Sequence, residues 1–308
     1  MKKLGLIIFS ALFLWSCNQS MENQTEDTAT PKELETESTI AKDRKLTAEF
    51  SDYWYQSKAE ISSYELSQAR YGEMREGTAI LIFVTEPFDR NELIKSDIPS
   101  ESDVRVLKLN ATRDFVTGIY PYKIMSSTFL PLDTQEHALK AVGSIQEWCG
   151  LTFQQLTRDN DSYDVELHSY FQKEGNKNFK IDFQMLENEI PLRLRLGPKE
   201  MPTGAIQVIP SIEFLRLKHV ETKPYEAIAK LSELPDGYLY SVKYPELERT
   251  IAFKTEKQFP FKILNWMDRY NDGGTPQVST GSLKKTIMTD YWNQNKLENT
   301  VLRDSLGL

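Results

Sequence analysis

From Ala59 onward the chain is a succession of short segments in which apolar and polar residues alternate with a period of two, each closed by a turn signal. That pattern limits the fold more than any other feature, because segments of this kind can bury their apolar faces only by pairing into antiparallel sheet. Residues 59–70 and 78–86 read as strands around a turn at Gly72, or as a hairpin joined at Glu76-Gly77. The run Ile80 to Val84 is apolar on both faces, so it is expected at the centre of a sheet. A polar connection over 89–103 leads to Val104, Val106, Leu107 and Leu109, and then to 118–132, where Pro121 lacks an N–H and predicts an edge position or a bulge. Residues 137–147, 151–157 and 162–172 form a three-stranded meander, its last turn at Asp159-Asn160-Asp161. Short strands return over 205–210, 212–218, 225–233, 237–244, 247–255 and 261–266. Residues 271–282 read as loop, 283–292 as a last strand and 293–308 as a surface tail.

Two segments carry helical spacing instead. Leu46, Phe50, Tyr53 and Trp54 fall at i, i+4, i+7 and i+8, which predicts a helix over 45–57 lying across the sheet. Phe183, Leu186, Ile190 and Leu194 predict a helix over 180–196 that Gly197-Pro198 stops and Pro191 bends or divides. The expected fold is therefore mainly β (α+β): one or more curved antiparallel meander sheets, with a half-barrel as one form, and one or two packing helices. The globular body over 46–308 is expected as one domain or as two sub-domains divided near 175–200.

The amino terminus has a different character. Lys2 and Lys3 precede an uncharged apolar run over residues 4–14, which Leu14-Trp15-Ser16-Cys17 closes in the pattern of a bacterial lipobox, with Trp15 its one bulky departure. The run is shorter than the about 20 apolar residues that a spanning helix needs. The expectation is a lipoprotein signal peptide over 1–16, acylation of Cys17 and a disordered tether over 17–45. The body would then be exported and lipid-anchored in the cell envelope, at the outer membrane or the periplasmic face.

Composition narrows the chemistry. The net charge of −8 argues against a nucleic-acid partner, since phosphates demand clustered Lys and Arg. Only Cys17 and Cys149 are present, so a lipidated Cys17 leaves no disulfide framework. In Trp148-Cys149-Gly150 the thiol is expected as a small buried group at a bend, and Glu147 should raise its pKa. His137, His168 and His219 stand at no metal-ligand spacing from one another, and no glycine-rich phosphate loop or G-x-S-x-G motif occurs, so neither a metal nor a cofactor is expected. Aromatic residues are the remaining signal. Trp54, Tyr120, Tyr122 and Tyr170 are the candidate binding residues, because aromatic pairs at i and i+2 share one face of a strand and can line a groove; cross-strand packing is the plainer use of the same residues.

Taken with the lipobox, the segments Asp52-Tyr53-Trp54-Tyr55, Ala69-Arg70-Tyr71-Gly72-Glu73, Gly118-Ile119-Tyr120-Pro121-Tyr122, Gln146-Glu147-Trp148-Cys149-Gly150 and Leu302-Arg303-Asp304-Ser305-Leu306-Gly307-Leu308 resemble a group of bacterial envelope lipoproteins that often carry the transferred name "septum formation inhibitor Maf". The resemblance spans nearly the whole body. True Maf proteins are cytoplasmic nucleoside triphosphate pyrophosphatases with an α/β fold and an S-x-S-P-R-R signature, and this chain has no such motif. The resemblance brings no functional residues with it. The leading expectation is a non-catalytic binding or scaffolding lipoprotein whose partner is an envelope protein, lipid or glycan. The alternatives are a glycan hydrolase using paired carboxylates and, third, a nucleotide pyrophosphatase.

Overall fold

A computed structural model describes residues 43–308. The expected signal peptide, Cys17 and most of the expected tether lie outside the described residues. The elements in chain order are α1 (Ala48–Trp54), β1 (Ala59–Arg70), β2 (Glu73–Asp89), β3 (Ile94–Lys95), β4 (Asp103–Thr117), β5 (Tyr120–Pro131), β6 (Lys140–Glu147), β7 (Gly150–Asp159), β8 (Ser162–Ser169), β9 (Lys177–Asp182) and β10 (Met185–Leu186). There follow α2 (Ile190–Leu196), β11 (Gly204–Ile209), α3 (Ile212–Lys218), β12 (Tyr225–Leu234), β13 (Gly237–Tyr244), β14 (Arg249–Glu256), β15 (Ile263–Asp272), β16 (Thr275–Thr289) and α4 (Val301–Leu306). No helix among the described residues is long and apolar enough to cross a membrane.

All 16 strands belong to one curved sheet, mostly antiparallel and not closed. One meander runs from β1 to β9 and a second from β11 to β16, and β16 lies against β1 to join them. The outermost strands, β9 and β10, are separated in sequence only by Phe183 and Gln184. Three Cα steps of 3.8 Å reach at most about 11 Å, so the two margins of the sheet are brought close at that point.

The curl is filled by the chain between the two meanders. Ile190, Leu192 and Leu194 of α2 and Ile212, Leu215 and Leu217 of α3 share one buried cluster with Tyr64, Leu81, Ile124 and Val165 of the first meander and Ala227, Tyr240 and Ile251 of the second. Both halves of the sheet can pack on the same short helices only by wrapping around them. Gly143 of β6 makes room for this: a Cβ there would sit 2.8 Å from Ile212 Cγ2.

Ion pairs fix the filling in place. Arg195 of α2 makes a bidentate pair with Glu60 of β1, at 2.6 and 2.7 Å, and stacks 4.7 Å from the Phe83 ring. Arg249 of β14 donates to Glu187 at 2.6 and 2.7 Å and to Asp268 at 2.7 and 2.9 Å, with Phe214 of α3 at 3.8 Å. Glu189 accepts from the Ala138 N–H at 2.6 Å, His137 Nδ1 at 2.8 Å and Arg193 Nε at 2.7 Å. Burial alone would raise the Glu189 pKa, but Arg193, His137 and the Ala138 amide together hold it down to about 2.

Several sequence expectations change. The first helix is confined to Ala48–Trp54, capped by the Thr47 hydroxyl. The helix expected over 180–196 begins only after two strands, and Pro191 sits in its first turn, where a missing N–H costs nothing, rather than bending it. Residues 212–218 are helix, not strand: Ser211 caps the start and His219 ends it at φ 53°. The loop expected over 271–282 is the β15–β16 hairpin. Pro121 is not in a bulge but is locally at an edge, because the β5–β6 ladder begins only at Lys123. It lies near the start of β5, opposite Val116 at the end of β4, where one lost ladder bond is tolerated. The expected tail folds back, with Leu306 buried and its carbonyl accepting from the Ser63 hydroxyl of β1.

Candidate binding surface

In an antiparallel meander every second connection falls at the same end. The β1–β2, β4–β5, β6–β7 and β8–β9 connections therefore share one end of the sheet, and each holds a large apolar side chain in solvent. Tyr71 is 53% exposed, Ile119 81%, Trp148 69% and Tyr170 73%. The β15–β16 turn joins them, since Asp272 accepts the Gly72 N–H at 2.6 Å.

Below these groups the end is rigidly built. Tyr122 is buried and stacks on Phe115 at 4.9 Å and 5°. Its hydroxyl shares a 2.7 Å hydrogen bond with that of Tyr71 and accepts from Arg70 Nη2 at 3.0 Å. Arg70 also donates to the Leu217 carbonyl at 2.5 Å, which ties the rim to the last turn of α3. Tyr120 bridges inside and outside, 5.9 Å from Tyr122 and 6.3 Å from Trp148, with the latter planes inclined by 30°. Tyr170 lies over Gly150, where an added Cβ would come within 2.8 Å of its ring. A side chain at 150 would lift that ring away.

A hollow of about 20 Å³ opens beneath the rim, between Arg70, Tyr122, Glu147, Thr152, Arg216 and His219. Among the described residues the Thr152 hydroxyl and Arg216 Nε, both buried, have no hydrogen-bond partner. The space is the size of one water. Arg216 is otherwise committed to Glu174 at 2.8 Å, and Glu174 also accepts from His219 Nδ1 at 3.0 Å and the Ser169 hydroxyl at 2.6 Å. Cys149 is exposed in the β6–β7 turn rather than buried, because a two-residue hairpin connection projects its side chains from the sheet end. Glu147 pushes its thiol pKa up, through a hydrogen bond and its charge. Among the described residues no group of three or more His, Cys, Asp or Glu side chains is placed to hold a metal.

Of the residues singled out from sequence, Tyr120, Tyr122 and Tyr170 come together here. Trp54 does not: it is buried at the other end of β1 and β2, 6.2 Å from Phe83 and beneath Arg195. Tyr71, Ile119 and Trp148 complete the rim and carry no binding signal in sequence. Each sits in or beside a tight turn, and only the pairing order reveals that the four turns are neighbours. No known protein-family model, curated protein or solved structure matches this chain.

Proposed function

We propose that the chain is a membrane-anchored envelope lipoprotein with a non-catalytic binding or scaffolding role, and that the aromatic end of its sheet is the binding surface. The observation that carries this reading is the repetition: four connections at one end each keep a large apolar group in water. Clustered exposed apolar groups mark interaction sites, and Tyr, Trp and Arg are the residue types that anchor them. The first described residues lie at the other end, where the Arg44 N–H donates to the Asp133 carbonyl before β6.

The interior weighs against a lipid-carrier use of the curl, because α2 and α3 occupy it and leave a space of about 50 Å³. A glycan hydrolase would need two free carboxylates facing each other across a cleft. The acids at the rim have other work: Glu147 accepts from the Cys149 N–H at 2.7 Å, and Glu174 is held by Arg216, His219 and Ser169. A nucleotide pyrophosphatase of the Maf kind is an α/β protein, whereas this fold is mostly antiparallel β. The purified body should give no turnover of nucleoside triphosphates with magnesium above a boiled control.

A photo-crosslinking residue at position 148, compared with one at exposed Ile98 on the other end, tests the binding surface in cells. An adduct is expected from 148 alone, and it should disappear when Ile119 and Tyr170 are both changed to serine. No adduct at 148, or equal labelling at 98, refutes the reading.

A further inference from the structure

The chemistry of the aromatic end narrows what it can bind. The β1–β2, β4–β5 and β6–β7 connections are two-residue turns, Tyr71-Gly72, Gly118-Ile119 and Trp148-Cys149, so their exposed apolar groups stand out singly at the tips. The β8–β9 connection opens with Tyr170-Phe171, whose rings meet edge to face at 5.9 Å. The β15–β16 turn packed against Gly72 adds only Gly273 and Gly274. Behind the tips, Val116 and Leu151 are exposed as well.

Charge is kept off these tips. The four connections contain Lys173 and Glu174 as their charged residues, and Glu174 is buried against Arg216, so Lys173 is the one charge they expose. In the next row Glu73 pairs with Arg75, and Asp114 with Lys123 at 3.1 Å. Polar atoms of the rim bond to one another, as Tyr71, Tyr122 and Arg70 do, which leaves a sugar few groups to hydrogen-bond. A protein partner would have to supply a separate pit for each projecting tip. A bilayer needs no such fit, because lipids close around whatever side chain enters. Trp and Tyr concentrate at its interface, since each joins an apolar ring to a polar edge, and a lysine there meets the lipid phosphates.

We propose that the aromatic end docks on the surface of a lipid bilayer, with Ile119, Trp148 and Tyr170 entering the boundary between headgroups and acyl chains and Lys173 among the phosphates. This rests on the reading of the aromatic end as the binding surface, and it names the partner. Arg70 joins Tyr122 and the Leu217 carbonyl beneath the tips, so the tips enter on a base that is already ordered.

Tryptophan fluorescence of the purified full-length protein decides it, measured with phosphatidylcholine vesicles whose acyl chains carry bromine near the headgroup. Brominated lipid should quench wild type more than W148F, because Trp54 and Trp266 are buried and every tryptophan but Trp148 is common to both proteins. I119D places a charge at the neighbouring tip and should bring the quenching down to the W148F level, whereas I98D, at the other end, should leave it unchanged. Melting curves of the variants should match wild type, since all three side chains are exposed. Equal quenching of wild type and W148F, or quenching that survives I119D, overturns the docking. The photo-crosslinking residue at position 148 separates this from the reading beneath it. A lipid adduct in cells supports the docking; an adduct to protein or glycan alone keeps the binding surface and overturns its bilayer partner; no adduct overturns both.

Discussion

Neutralising Glu189 by substitution with glutamine tests whether the buried charges hold the filled curl together. A carboxyl whose pKa falls from 4.5 in the unfolded chain to about 2 in the folded protein stabilises the fold at neutral pH. At about 1.36 kcal/mol for each tenfold change in proton affinity, the contribution is about 3 kcal/mol. The depressed pKa fixes the direction: the stabilisation is complete above the unfolded carboxyl's pKa and declines as pH falls below it. It is lost as pH passes through the folded value near 2. Glutamine keeps the volume but removes the charge, and its amide must face either the Ala138 N–H or the Arg193 guanidinium with a donor. Urea unfolding of wild type and E189Q at a series of pH values should show a gap of about 3 kcal/mol at pH 7 that narrows steadily below pH 4.5. A gap under about 1 kcal/mol at pH 7, or one that stays constant down to pH 2.5, would show that Glu189 does not carry this load.

Arg249→Met leaves Glu187 and Asp268 buried without their cation and should cost about 3–5 kcal/mol in denaturant unfolding; a loss within 1 kcal/mol would contradict the arrangement. Gly143→Val drives a side chain into Ile212 and should destabilise by about 1–3 kcal/mol, with part of the loss recovered when Ile212 is cut to alanine. Cys17→Ser should abolish palmitate labelling and membrane fractionation, whereas Cys149→Ser should leave both unchanged; labelling that survives the first change would place the anchor elsewhere.

Much of the sheet was legible because its turns are chemically marked. Residues 59–70 and 237–244 were read with the bounds that β1 and β13 have, since Gly72 and Pro235-Asp236-Gly237 punctuate a clear period of two. The interior helices were not legible for the opposite reason. Every residue from Ile212 to Leu217 is buried, so α3 has no polar stripe, and Ile-Glu-Phe-Leu-Arg-Leu satisfies a strand pattern as well as a helical one. Its Glu213 and Arg216 pair with Ser126 and Glu174, partners that no local window contains. The same distance hides the ion pairs that pin α2, because Glu60 and Arg195 are 135 positions apart. At the rim, tyrosine content pointed to Tyr120 and Tyr170, but the company of Tyr71, Ile119 and Trp148 depends on strand order, which composition does not encode.

The neighbour of β1 is β16, a strand that lies at the far end of the coding order. During synthesis from amino to carboxyl terminus, β1 and β2 emerge early, and one margin of β1 must wait for more than two hundred further residues before Ala59 can meet Thr289. Until then a twelve-residue strand offers unsatisfied amides and carbonyls to any passing chain, and apolar Ile80 to Val84 sits beside it. Pairing over such a separation is slow and invites association between partly folded copies. A chain built this way depends on the open margin of β1 being kept from other chains until β16 arrives, and truncation within β16 should yield aggregate rather than a smaller folded body.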